Sequence, residues 1–223
     1  MSENGLDSLQ GLVDLGVIDV VHRALMAGKE AQVFLVSSGG QQRVAKVYKE
    51  AEHRSFKHRS TYAEGRRVKN TRRQRAMDKR TRYGRAQEEE AWKSAEVDAI
   101  YRLAEAGVRV PQPYDFIDGV LVMELIADER GEPAPRLVDV SLEPDEARDL
   151  FQVLVREVVR MLCAGLVHGD LSDFNVLLSA DGPVIIDFPQ AVDAASNNNA
   201  RQLLIRDASL ALQRMIEVTE AAG

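Results

Sequence analysis

A single cysteine, Cys163, occurs in 223 residues, which excludes an internal disulfide and any metal site built on paired cysteines. No stretch approaches the ~20 apolar residues needed to cross a bilayer. The opening MSENGLDSLQGLVDLG is acidic where a signal peptide would be basic. These absences predict a cytoplasmic protein without a membrane segment. There is no internal repeat and no low-complexity tail. His22, His53 and His58 have no partner at metal-ligand spacing and read as surface residues. What remains is ordinary for a globular protein: 45% of residues are hydrophobic, and the length suffices for one large domain or two lobes with cores of their own. Cys163, within VVRMLCAGLV, reads as core packing.

Charge is unevenly spread. Residues 49 to 85 hold fourteen Lys or Arg against four Asp or Glu, a net +10, while the whole chain carries −6 and the remainder therefore −16. This basic segment lacks sustained hydrophobic periodicity, so it predicts a mobile stretch or an exposed helix. Two uses fit it: a solvated cover over a bound polyanion such as a nucleotide, or a contact surface for RNA.

The most informative stretch is VHGDLSDFNVLLSADGPVIIDFP, residues 167 to 189. Two short apolar runs, Val176–Leu178 and Val184–Ile186, predict a hairpin with its turn at Asp181–Gly182. Asp170 and Asn175 then lie in the loop entering the hairpin, and Asp187 lies at the end of its second strand. A hairpin folds its ends together, so the three polar side chains converge. That arrangement suits metal-held phosphates and a hydroxyl that must lose its proton. The spacing D-x-x-x-x-N, an apolar strand pair, then D-F, with His168 two residues ahead of Asp170, resembles the catalytic loop and metal-binding Asp of protein kinases.

Upstream, residues 6 to 27 carry apolar positions at helical spacing broken at Gly16, predicting a helical lead-in of about two turns on each side. Ala31–Val36 and Arg43–Lys49 predict strands joined at Gly39–Gly40. Lys46 sits in the second, where a lysine that pairs nucleotide phosphates is expected. The preceding turn has Gly28, Lys29 and Glu30 in place of a G-x-G-x-x-G loop. Residues 86 to 106 predict an amphipathic helix stopped by Gly107, with Glu96 near its buried side and placed to hold Lys46. Pro111 and Pro113 predict an extended link, and Val120–Leu125 a buried strand whose Met123 is either core filler or the residue gating an adenine pocket. Pro144 with acids at 145, 146 and 149 opens the strongest helix, whose rows Leu150, Leu154, Val158, Leu162 and Phe151, Val155, Val159 predict a core element. A last amphipathic helix follows Asp187.

Taken together, GKEAQVF at 28–34, VAKVYK at 44–49, WKSAEV at 92–97, VPQP at 110–113, VLVMELI at 120–126, APRL at 134–137, LVHGDLSDFNVLL at 166–178 and VIIDFPQAV at 184–192 resemble the RIO group of atypical serine/threonine protein kinases, in its shorter branch without a winged-helix domain. The resemblance implies an α+β, compact two-lobed protein-kinase-like fold lacking the activation loop and peptide-binding helices, in keeping with the 36 residues that follow Asp187. It implies one kinase domain over 1–223, with an N-lobe 1–122, a flexible basic segment 50–85, a hinge 123–126 and a C-lobe 127–223. It implies a phosphate loop of Gly28, Lys29, Glu30 and Ala31; Lys46 on the ATP phosphates, held by Glu96; and adenine received near Met123 by Glu124 and Ile126. Asp170 would be the catalytic base, and Asn175 and Asp187 would bind magnesium, or manganese. Asp187 could itself accept phosphate in an ATPase cycle. The family often has Ser where this chain has Pro189.

Two other functions bear comparison with an ATP-dependent serine/threonine kinase. A small-molecule kinase of the aminoglycoside or choline type shares H-G-D-x-x-x-x-N but needs a larger acceptor-binding region after Asp187. A nucleotide-gated scaffold would dock RNA or a ribosomal particle through residues 54–85 and is compatible with ATP hydrolysis.

Overall fold

The computed structural model describes residues 3–28, 30–49 and 95–209, with side chains from residue 7 onward. Lys29, Trp92 and the whole basic segment 50–85 lie outside the described residues. The chain divides into two compact units. Among the described residues, one takes in those up to Lys49 with 95–97 and 112–125, and the other takes in 98–111 and 126–209.

The first unit is built on an antiparallel sheet. Helix α1 (Glu3–Asp14) leads into strands β1 (Val20–Ala27), β2 (Ala31–Ser38) and β3 (Gln41–Tyr48), and after helix α2 (residues 95–105) come β4 (Pro113–Ile117) and β5 (Val120–Glu124). The spatial order is β1-β2-β3-β5-β4. Two-residue turns set the register. Gly39 and Gly40, at φ 59° and 75°, connect Ser38 to its partner Gln41, and Asp118–Gly119, at 49° and 75°, connect Ile117 to Val120. Positive φ at both central residues matches the strands' own twist, which is why glycine recurs there. Pro113 is tolerated in β4 because β4 is an edge strand.

Alternation along the strands gives the sheet two different faces. Phe34, Val36, Ala45, Val47, Val120 and Val122 pack with Leu9, Leu12 and Ile18 from α1 and its exit. Lys46, one residue out of phase with Ala45 and Val47, belongs to the other face.

The expected helical lead-in is half correct. Residues 3–14 are helical, but 20–27 form β1, paired with β2 and irregular at two points along the register. Val20 and Val21 are β-branched, and the β2 edge offers backbone partners that a second helix would not use.

The second unit holds helix α3 (Pro144–Cys163), strand β6 (Leu166–Val167) paired with β9 (Val192–Asp193), the hairpin β7 (Val176–Ser179) and β8 (Gly182–Ile185), and helix α4 (residues 200–209). A reciprocal capping box between Glu143 and Glu146, with Pro144 in the first turn, starts α3. Its buried row is Ala147, Leu154, Glu157 and Met161, whereas Val155, Val159 and Leu162 are exposed. The expectation of two buried rows is therefore corrected to one. Cys163, expected in the core, is also exposed. The hairpin turn is Ala180–Asp181, one residue earlier than expected, because Ser179 pairs directly with Gly182. The Ser179 hydroxyl donates to Gly182 O at 2.7 Å and accepts from the Asp181 amide at 3.2 Å, closing the shorter turn. No helix among the described residues is long and apolar enough to cross a membrane.

Candidate active site

In the first unit, β3 and residues 95–97, the opening of α2, bring together two residues fifty positions apart. Lys46 Nζ donates to Glu96 Oε1 at 2.6 Å, with the side chains 13% and 4% exposed. A pair this dry loses most of its hydration, so its geometry must compensate, and removing either partner leaves a buried charge. Lys46 lies between Val33 of β2 and Leu121 of β5 in the sheet register. Its ammonium also stands 5.4 Å from the Tyr48 ring centroid.

Of the expected phosphate-loop residues, Gly28, Glu30 and Ala31 are described, where β1 passes into β2. The Gly28 amide donates to Ala31 O at 2.9 Å, and the Gly28 carbonyl accepts from Lys49 Nζ at 2.5 Å. Glu30 O accepts from the Lys49 amide at 2.9 Å. A Cβ at residue 28 would come within 3.3 Å of Ala31 O, so a side chain there would crowd the turn. Met123, half-buried on β5, pairs with Val44 and Pro113. The Glu124 amide donates to Gln112 O at 2.8 Å, which commits that donor to the protein. Ile126 is buried, and its carbonyl accepts from Ala134 at 2.9 Å.

In the second unit, β6 delivers the chain into His168, and the hairpin closes on itself as expected. Val176 pairs with Ile185, and the Ile186 amide donates to Asn175 O at 3.0 Å. Asn175 Nδ2 donates to Asp170 O at 2.8 Å, so its Oδ1 is turned away from that bond. Asp187 follows Ile186 directly and takes a left-handed backbone conformation, φ 69°. Apart from the turn residue Asp118 it is the only non-glycine to do so among the described residues, and such conformations gather at functional sites. His168 is buried against Phe188, ring centroids 5.1 Å apart. Its Nδ1 accepts from the Asp170 amide at 3.3 Å, leaving Nε2–H to donate to Ile186 O at 3.1 Å. Acceptance at Nδ1 requires neutral imidazole, and burial pushes its pKa below the ordinary value, opposed first by the bond to Ile186. His168 thus ties residue 170 to the strand end before residue 187.

Asn175 offers an amide oxygen and Asp187 a carboxylate, so the donors these two residues would bring are all oxygen. Such donors fit magnesium, which is commonly held by one or two carboxylates together with substrate phosphates.

Two residues escaped sequence reasoning. Asp207 of α4 is 1% exposed, and its carboxylate accepts the Gly169 amide at 2.8 Å and the Leu171 amide at 3.1 Å, one on each side of Asp170. Burial raises its pKa, opposed first by the Gly169 bond. Glu157 of α3, also buried, accepts the Arg109 amide at 2.9 Å and Arg160 at 2.6 Å, while Arg109 O accepts from Ile185 at 3.0 Å. The backbone of Arg109 therefore links α3 to the strand leading to Asp187. The signal for both was available: each acid falls on its helix's apolar row, Asp207 with Ala200, Leu203 and Leu204, and Glu157 with Leu150, Leu154 and Met161.

Residues 32–216 match the protein-family model described as RIO1, RIO domain. The RIO-type serine/threonine-protein kinase Rio1 of Haloferax volcanii is 36% identical over 203 residues, covering 88% of this chain and 63% of that protein. Its namesake from Methanocaldococcus jannaschii is 34% identical, covering 81% and 58%. The human serine/threonine-protein kinase RIO1 is 32% identical, covering 80% and 30%. The chain thus spans less than two thirds of the length of these curated relatives. Among solved structures, the Cydia pomonella granulovirus kinase PK-1 is similar at TM-score 0.52 and 16% identity, covering 84% of this chain and 57% of that one. That likeness is one of fold, and the architecture is α+β and protein-kinase-like.

Proposed function

We propose a function from the premise that the chain belongs to the RIO domain family: it transfers the γ-phosphate of ATP to a serine or threonine hydroxyl of a protein. The observation that carries this reading is the buried Lys46–Glu96 pair at 2.6 Å, a fixed cation where phosphates need one. In this proposal residues 1–122, 123–126 and 127–223 serve as N-lobe, hinge and C-lobe. The turn at Gly28, Lys29, Glu30 and Ala31 receives the phosphates, and Glu124 O and Ile126 N–H receive adenine beside Met123. The acceptor oxygen attacks the γ-phosphorus, the bond to the β-phosphate oxygen breaks, ADP leaves with that electron pair, and the hydroxyl proton passes to Asp170. Asn175 and Asp187 would hold magnesium, which neutralises phosphate charge when bound. Catalysis is then mostly positioning and charge compensation.

A second reading is favoured by the exposure and strained backbone of Asp187. Its carboxylate would attack the γ-phosphorus and release ADP, and water would then hydrolyse the acyl phosphate, making the protein an ATPase. A third role, docking RNA or a ribosomal particle through residues 54–85, rests on the charge of that segment. It requires a binding constant whose logarithm falls linearly with log salt.

Label from γ-labelled ATP tests the main reading. Phosphoserine or phosphothreonine formed by the wild type and lost in Lys46→Met supports it. Equal labelling by both would remove Lys46 from the chemistry. A base-labile adduct with free phosphate, and no hydroxyl ester, favours the ATPase.

A further inference from the structure

The hairpin region has to handle phosphate with few positive charges of its own. Residues 161–200 contain no Lys or Arg but five Asp, at 170, 173, 181, 187 and 193. No lysine occurs anywhere after Lys93. His168 is buried and accepts the Asp170 amide at Nδ1, a bond that only the neutral imidazole can make. A cation from another element would hold a proton-accepting carboxylate ionised and in place beside an anionic phosphoryl group.

Helix α4 supplies one. Arg206 Nη2 stands 3.6 Å from Asp170 Oδ1, with the side chains 43% and 60% exposed. At that distance and exposure the pair adds little to stability. Its placement, however, is built. The next residue, Asp207, is anchored by the amides of Gly169 and Leu171, so consecutive residues of one helix grip residues 169, 170 and 171. Asn175 Nδ2 meanwhile holds the Asp170 carbonyl. The backbone of residue 170 is thus fixed from two sides, and Arg206 is the side chain that reaches its carboxylate.

We propose that Arg206 is a positioning residue for the phosphoryl transfer described above, holding the Asp170 carboxylate in the orientation that receives the acceptor proton. The inference rests on the proposed kinase reading and adds to it a cation that the loop itself lacks. Arg206 acts through Asp170, so its loss lowers kcat without changing how ATP binds.

The test uses the full chain with Mg-ATP, comparing wild type, Asp170→Asn, Arg206→Ala and Arg206→Lys for kcat, KM for ATP and thermal midpoint. Arg206→Ala is expected to lose about 10²-fold in kcat, the scale of a misplaced reacting group, with KM for ATP and the midpoint unchanged. Arg206→Lys, or added guanidinium ion with Arg206→Ala, is expected to restore part of the rate, which a merely structural role would not allow. Unchanged kcat in Arg206→Ala, with Asp170→Asn inactive, overturns the inference and leaves the kinase reading standing. So does a loss that comes with a lowered midpoint and no rescue. Equal turnover by wild type and Asp170→Asn, or none by either, overturns both.

Discussion

Lys46 and Glu96 show how much one contact carries. With Glu96 4% exposed and its partner 13%, Glu96→Ala strands a buried ammonium and should cost about 3–5 kcal/mol. Chemical denaturation of the single variants and of a Lys46→Met, Glu96→Leu double variant separates stability from function: the double variant regains stability and still transfers no phosphate. His168 gives a pH signature. Its folded pKa lies below the ordinary 6.5 because burial disfavours the imidazolium, so its contribution is fully present above 6.5. That contribution is lost as pH falls from there through the folded value. Asp207, raised by burial, acts with the opposite sign. Thermal midpoints measured from pH 8 to 5 should therefore decline on the acid side in wild type and decline less in His168→Phe. An equal decline in both would contradict the assignment. Lys46 and Glu96 were legible because strand alternation and helical period each put the residue on a definite face. Asp207 was not, since periodicity marks a buried row without saying which backbone amides wait beneath it.

At the scale of elements, the hairpin and the sheet came through while α3 and β1 did not. Short apolar runs bounded by glycine and aspartate admit one arrangement, and an error of one residue at Ala180–Asp181 left the ends of the hairpin where they were expected. The stretch after Gly16 was ambiguous because Val17, Val20 and Val21 satisfy a helical period as well as a strand. Only the neighbouring edge of β2 decides between them. In α3 both apolar rows are present in the sequence, but the fold buries the row containing Glu157 and leaves Val155 and Val159 at 43% and 53% exposure. Val155→Lys and Val159→Lys should therefore change stability by no more than about 0.5 kcal/mol. Leu12→Ala, in the core shared by α1 and the sheet, should cost about 2–5 kcal/mol. Urea denaturation of the three variants checks this contrast, and a large loss from either valine would place that row in the core. Asp207→Asn should keep the helix and disturb the amides around Asp170. The expected result is a fall in kcat of at least about tenfold with KM for ATP little altered, measured in steady-state kinetics; a changed KM with normal kcat would contradict it.

For the whole molecule, membership of the RIO family and a protein-kinase-like fold stand together with a chain divided into two compact units. Lys46 and Glu96 belong to one unit, and Asp170, Asn175, Asp187 and Asp207 to the other. The reaction proposed is phosphoryl transfer with residue 170 as base. The measurement that tests it most directly follows the γ-phosphate of labelled Mg-ATP in wild type and Asp170→Asn under identical conditions. Acid-stable label on serine or threonine in the wild type, reduced by at least about 10²-fold in the variant, is the result the account predicts. Equal labelling by the two proteins would contradict it.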